Sequence, residues 1–254
     1  MLSNLIKIIK VKSSIDGSIE ESFFIPSKKK NAPVIVVLHT WSFHKEKEIQ
    51  NIKYIFKRTG WNVLCPEFRG PNLKDNPRVK EACASKPAKQ DIIDAINYIK
   101  RNFKLKGREI FLLGGSGGGH MALMMAAYKP ALWTAICAWC PLTDLLKFEK
   151  DNKNYRQHVK ACCKSLSEYK KRSPVNYSDK IARAKVFIFH GKDDKSVHFT
   201  HSLNLYNKII KRHLEASVFL SIFKGGHEID RKESIRIFKG FVIDGGKAYN
   251  KLTK

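Results

Sequence analysis

Hydrophobic residues along this chain recur with two different periods, and the alternation between them lays out its elements. Leu5 to Lys12 and Ser18 to Ile25 are alternating or β-rich runs on either side of Asp16-Gly17, which predicts an antiparallel hairpin. Val34-Ile-Val-Val-Leu38 is a continuous apolar run, the pattern of a strand buried on both faces of a parallel sheet. Lys45 to Arg58 carries Ile49, Ile52, Ile55 and Phe56 on one helical face, and Gly60 closes it. Trp61 to Cys65 reads as the next strand. After a polar, irregular stretch from Asn72 to Pro87, Ala88 to Phe103 reads as a helix with Ile92, Ile93, Ile96 and Ile99 on its apolar face. Further strands are expected from Ile110, at Trp133 to Cys140, at Ala184 to His190 and at Ser217 to Phe223. Helices are expected after Gly119, from Phe199 to Lys211, and from Arg231 to Val242. A hairpin followed by alternating strands and helices predicts an α/β fold, a mainly parallel sheet with helices on both faces. Residues 1–254 are expected to form one domain, in which polar, lysine-rich Leu142 to Arg183 interrupts the alternation as an inserted cap.

The most informative stretch runs from Ile110 to Ala127. A short apolar run enters Gly114-Gly115-Ser116-Gly117-Gly118, and an Ala/Met/Leu-rich helix leaves it. This is the G-x-S-x-G pattern of a nucleophile elbow, a tight strand-to-helix turn that lifts a serine hydroxyl above the sheet. A glycine linker is one competing reading, but a linker would not join a buried strand to an apolar helix. A phosphate-cradling loop is another, but it would end Gly-Lys-Ser/Thr, and this one ends Gly-Gly-His. A nucleophilic serine needs a base and an acid to orient that base. In open α/β sheets, ligands gather outside the carboxyl ends of the strands. Asp193 and Asp194 follow one strand there, and His227 follows the next. Serine, aspartate and histidine therefore stand in the chain order of α/β-hydrolases. An oxyanion hole would combine the N–H of Gly117 with one from the loop His39-Thr40-Trp41-Ser42, at Trp41. His39, Thr40 and His120 are candidate substrate contacts. Burial beneath the site is the alternative for His39, and helix packing or a solvent-facing position for His120.

These segments resemble the catalytic domain of the prolyl oligopeptidase family (serine peptidase S9) and, close to it, dienelactone-hydrolase-like esterases. Leu38 to Trp41 is similar to the family's His-Gly-x segment, and Pro66-Glu-Phe-Arg-Gly70 to its Pro-x-Tyr-Arg-Gly. Asp91 to Tyr98 resembles the helix before the nucleophile, and Gly114 to Leu123 the Gly-x-Ser-x-Gly-Gly segment. His190-Gly-Lys-Asp-Asp-Lys-Ser-Val197 resembles His-Gly-x-x-Asp-x-x-Val, which selects Asp194 over Asp193, and Gly226-His227 resembles the histidine loop. The resemblance runs from Val34 to Val242. It implies an α/β-hydrolase fold with Ser116, Asp194 and His227 as a catalytic triad. Thr40 stands where the family usually has glycine, implying a differently shaped oxyanion loop, and His198 replaces a common proline. No propeller-sized segment stands before Val34, which shifts the expectation from peptide to small ester. The expected activity is a carboxylesterase-like serine hydrolase. An S9-type aminopeptidase or acyl-peptide hydrolase is the enzymatic alternative, and a non-catalytic basic binding protein on a hydrolase fold is the alternative of another class.

Composition changes this picture in few places. The 43% hydrophobic content supports a large core without disulfides. The six cysteines show no framework spacing, so reduced thiols in a cytoplasm-like compartment are expected. Cys137-Ala-Trp-Cys140 is a lone C-x-x-C whose cysteines a strand would point to opposite faces. Cys162-Cys163 has no histidine at ligand spacing, so both pairs read as packing, and no metal or other cofactor is implied. No stretch is long and apolar enough for a membrane span or a signal peptide. The net charge of +25 would attract nucleic acid, anionic membranes or acidic substrates. Its lysines are scattered along the chain without an aromatic stacking signature, so no specific nucleic-acid partner is expected. Arg156, Arg172 and the lysines of the insertion either cap the pocket or form solvated basic surface, and the second is expected for most of them.

Overall fold

The computed structural model describes residues 5–245. The hairpin forms from β1 (Lys7–Lys12) and β2 (Ile19–Ile25), with Gly17 at φ 75° in its turn. Six strands follow: β3 (Val34–Leu38), β4 (Asn62–Pro66), β5 (Ile110–Gly115), β6 (Ala135–Trp139), β7 (Val186–Gly191) and β8 (Val218–Phe223). They make one eight-stranded sheet in the order β1-β2-β4-β3-β5-β6-β7-β8. β2 pairs antiparallel with β1 and β4, and every pairing from β4 through β8 is parallel. Central strands β3 to β6 are buried along their whole length, as unbroken apolar runs require.

The α-helices, in chain order, are α1 (Ile49–Thr59), α2 (Lys86–Asn102), α3 (Gly117–Tyr128), α4 (Leu145–Asp151), α5 (Arg156–Cys162), α6 (Leu166–Lys171), α7 (Ser178–Ile181), α8 (Thr200–Ile210) and α9 (Arg231–Asp244). α1 and α9 bury Ile52, Ile55, Ile235 and Phe238 against one face of the sheet. α2, α3 and α8 bury Ile92, Ile96, Leu123, Leu205 and Ile209 against the other. Two boundaries differ from expectation. The apolar pattern from Lys45 opens as a 3-10 turn over Lys45–Glu48, because Lys45 is buried and its backbone N–H donates to Glu67 at 3.0 Å. α2 starts two residues early: Ser85 caps the Ala88 N–H at 3.1 Å, and Pro87 sits in the first turn, where its missing N–H costs nothing. None of the described helices is long and apolar enough to cross a membrane.

Arg69 ties the hairpin to the rest of the sheet. Its guanidinium is fully buried and donates to Asp91 on α2 at 2.5 and 3.1 Å, to Asp16 in the hairpin turn at 2.6 Å, and to Glu81 at 2.7 Å. Burial alone would weaken this charge, but the bonds to Asp16 and Asp91 raise the Arg69 pKa and lower that of Asp16.

The segment from Leu142 to Arg183 folds into α4 to α7 around a small apolar core of its own. Leu145, Phe148, Val159 and Tyr169 meet Trp41, Cys83 and Val197 there. Arg172 departs from the expected solvated surface: it is 6% exposed, because it donates to the carbonyls of Ala82 and Lys80 at 2.8 and 2.9 Å. Two buried histidines fasten this segment to the sheet. His120 on α3 donates from Nε2 to the Arg172 carbonyl at 2.6 Å, and the His201 carbonyl on α8 accepts from the Thr143 hydroxyl at 2.7 Å. Burial lowers each imidazole pKa from 6.5 to about 4, with the nearby Lys147 charge adding to the effect at His201.

Two predictions follow from these contacts. Arg69→Met should destabilise the protein by about 3–5 kcal/mol in urea denaturation, because it strands a buried Asp91 without its counter-charge. A cost within error of zero would show that the network is dispensable. The histidines set an acid limit. Their folded pKa lies below the unfolded value, so their stabilisation is complete above pH 6.5 and is lost as pH falls towards 4. Stability should fall by roughly 2 kcal/mol per histidine between pH 7 and 5, and His120→Phe should flatten this slope. An unchanged slope in that variant would assign the acid limit to other groups.

Candidate active site

Ser116 sits between β5 and α3 at φ 55° and ψ −121°. A residue with a side chain is strained there, and only surrounding contacts hold it. The Ser116 N–H donates to the Trp139 carbonyl on β6 at 2.8 Å, and its own carbonyl accepts from His120 at 2.9 Å. Gly117 follows, packed so closely on the His39–Ser42 loop that a Cβ would lie 2.3 Å from the Trp41 ring and 2.7 Å from the Trp41 backbone nitrogen. The N–H groups of Trp41 and Gly117 therefore belong to stretches of backbone in direct contact. Neither makes a hydrogen bond to another of the described residues.

Asp194 and His227 arrive from the ends of β7 and β8. The His227 Nδ1–H donates to Asp194 Oδ2 at 2.7 Å. The other carboxylate oxygen accepts the N–H groups of Ser196 and Val197 at 2.8 and 2.9 Å. Burial opposes ionisation of Asp194, but hydrogen bonds from His190, His227 and the Val197 backbone outweigh it and hold the acid well below the usual carboxylate range. The carboxylate fixes the His227 tautomer, leaving Nε2 as a basic nitrogen. Asp193, the neighbouring alternative, is exposed and bonds through its backbone to Gly225.

Ser116, Gly117, His227, Thr40 and Trp41 all line one cavity of about 230 Å³. Its apolar wall includes Leu142, Phe148, Tyr155 and Val197, drawn from the 142–183 segment and the Asp194 loop. His39 and His120 do not line it. His39 is buried beneath, stacked on Phe68 with ring centroids 4.0 Å apart and bonded to the Glu67 carbonyl at 2.6 Å. His120 packs edge-on against Trp41 at 5.2 Å while it holds the Arg172 carbonyl. Of the three candidate substrate contacts, Thr40 alone reaches the cavity.

Three contributors carry weaker sequence signals. His190, at the end of β7, is fully buried; its Nε2 bonds the Val197 carbonyl at 2.8 Å and lies 3.3 Å from Asp194 Oδ2. It approaches the same carboxylate oxygen that His227 holds, and its place at a strand end was the available clue. Glu48 and Arg231 also line the cavity, 4.0 Å apart. They come from the start of α1 and of α9, far apart in sequence. Cys140, His190 and Asp194 lie close enough to bind a metal, but Asp194 and His190 are already engaged in the bonds above.

Residues 51–241 match the prolyl oligopeptidase family. The inactive dipeptidyl peptidase 10 of Rattus norvegicus is 23% identical over 177 residues, which are 68% of this chain and 22% of that protein. The chain thus spans about a fifth of that relative's length. The uncomplexed acylaminoacyl peptidase of Pyrococcus horikoshii superposes with a TM-score of 0.74 at 20% identity, covering 93% of this chain and 40% of that one. An esterase of Pyrococcus furiosus superposes with a TM-score of 0.69 at 16% identity, covering 99% of this chain and 90% of that one. The fold and the match over three-quarters of the sequence agree: this chain belongs to the prolyl oligopeptidase family and has the α/β-hydrolase fold.

Proposed function

We propose that this chain hydrolyses a small carboxylic ester by acyl transfer through Ser116. The observation that carries this reading is the Asp194–His227 hydrogen bond opening onto the same cavity as the strained serine turn. His227 Nε2 takes the hydroxyl proton as Ser116 Oγ attacks the carbonyl, and Asp194 orients the imidazole and offsets its developing charge. The N–H groups of Trp41 and Gly117 receive the oxyanion. His227 returns the proton to the leaving alcohol, and water then repeats the attack on the acyl-enzyme. The 142–183 segment acts as a cap whose Leu142, Phe148 and Tyr155 side chains accept an acyl chain, and the cavity volume suits a modest one. The near-complete overlap with an archaeal esterase supports the ester over larger substrates. Ser116→Ala should lower kcat/KM on short p-nitrophenyl esters by about a thousandfold or more with an unchanged melting temperature. Full activity in that variant would overturn the mechanism. A fluorophosphonate probe should label Ser116; absence of both labelling and turnover would favour the basic binding protein.

An S9-type aminopeptidase is the second reading, and Glu48 favours it. Its half-buried carboxylate lines the cavity; one oxygen accepts from Asn51 at 2.7 Å and lies 4.0 Å from Arg231, and the other could hold the charged amino terminus of a peptide. Glu48→Gln tests this through the ratio of aminoacyl anilide to ester turnover. A loss of about tenfold or more confined to the aminoacyl substrate supports the peptidase. Parallel changes on both substrates exclude an amine-binding role for Glu48.

A further inference from the structure

Away from the cavity, three thiols converge. Cys83 lies in the turn before α2, whereas Cys162 and Cys163 end α5 in the 142–183 segment, so nothing in their spacing announces the meeting. Their sulfur atoms all lie within 4.8 Å of one another, and each residue is at most 3% exposed. Cys83 is presented by two consecutive left-handed residues, with φ 50° at Cys83 and 54° at Ala84. The Cys162 thiol has the His158 carbonyl at 2.9 Å, but Cys83 and Cys163 have no oxygen acceptor among the described residues.

Two neighbours add to the cluster. Arg172 is held against the Cys83 turn by its bonds to Lys80 and Ala82, with Glu168 at 2.7 Å on its outer side. It places a buried positive charge near the sulfurs. His120 lies near Cys163, and its Nδ1 is a buried nitrogen without a partner among the described residues.

We propose that Cys83, Cys162 and Cys163 bind a divalent thiophilic cation of the Zn2+ type, which ties the 142–183 segment to the turn before α2. Zinc–thiolate bonds of about 2.3 Å would place the three sulfurs about 3.8–4.0 Å apart, inside the 4.8 Å that bounds their present spacing. Binding replaces three S–H bonds by three metal–sulfur bonds and releases the protons to solvent, with no change of oxidation state. The resulting tris-thiolate complex carries one net negative charge, and Arg172 offsets it without leaving its hydrogen bonds. An odd number of sulfurs also fits one ion better than a disulfide, which would leave the third thiol unmatched.

The test uses the whole chain, purified reduced and metal-free. Cd2+ is titrated first, reading the thiolate-to-metal charge-transfer absorption, and Zn2+ is then titrated in competition with a chromophoric chelator. One ion per chain is expected, together with a rise in melting temperature. Cys83→Ser and Cys163→Ser should each weaken binding roughly 100-fold or more. Cys65→Ser, whose thiol is buried elsewhere in the sheet core, should leave binding intact. Circular dichroism establishes that each variant is folded, and the two ligand variants serve as independent readings should either fail to fold. A missing charge-transfer band, equal affinity in the folded ligand variants, or a disulfide within the trio after aerobic purification would each overturn the proposal.

Discussion

The constraint on which the site depends is steric, the close approach of the α3 N-terminus to the strand ends beneath it. A Cβ on Gly114 would lie 2.2 Å from the Gly118 carbonyl oxygen, so the chain can double back around Ser116 only where side chains are absent. That approach drives Ser116 into its positive-φ conformation. The turn is then secured by the Trp139 carbonyl on β6 and the Trp41 loop after β3. Three neighbouring parallel strands therefore fix one hydroxyl, and the two strands beyond them, β7 and β8, supply the carboxylate and the imidazole. Parallel pairing matters here because it brings every strand's carboxyl end to the same edge.

How much of this was legible in the sequence varied with the range of the interaction concerned. The elbow is local: glycines, serine and apolar flanks stand within a few residues, and the structure follows them closely. Asp194 and His227 were legible because strand ends share an edge once the alternation of strands and helices is recognised. His39 and His120 were not assignable in the same way. Whether an imidazole faces substrate or a backbone carbonyl depends on Glu67 and Arg172, partners from distant parts of the chain. Arg69 shows the same limit: its motif is readable, but Asp16, Glu81 and Asp91 reach it from the hairpin, a connecting turn and α2. Pro87 misled in a different way, because a proline in an irregular stretch also suits a first helical turn once Ser85 caps it.

The unusual basicity is compositional, but the few acids are placed with consequence. Acidic residues number 23 against 48 lysines and arginines, and several of the acids are used inside the fold. Glu20, Asp91 and Asp194 are buried, and Glu67 turns inward to His44 and Lys45. Each holds an element in place through a bond that water competes with poorly. Lys45, Arg69 and Arg172 are buried with these acids, so burial removes comparable numbers of both signs from the surface. The strongly positive exterior thus arises from how few acids the chain has, 23 against 48 lysines and arginines.

The third packing cluster joins parts of the molecule that the sheet alone would leave separate. Trp41, Phe148 and Val197 line the cavity, and they belong to the same apolar unit as Cys83, Cys162 and Cys163. His120 extends this continuity, touching Trp41 with its ring and the Arg172 carbonyl with its Nε2. A close-packed unit transmits displacement because its members have no free volume into which to relax. The cavity wall is therefore mechanically continuous with the 142–183 segment and with the thiols behind it. Trp41, packed directly on Gly117, thus shares one continuous set of packed side chains with the thiol trio.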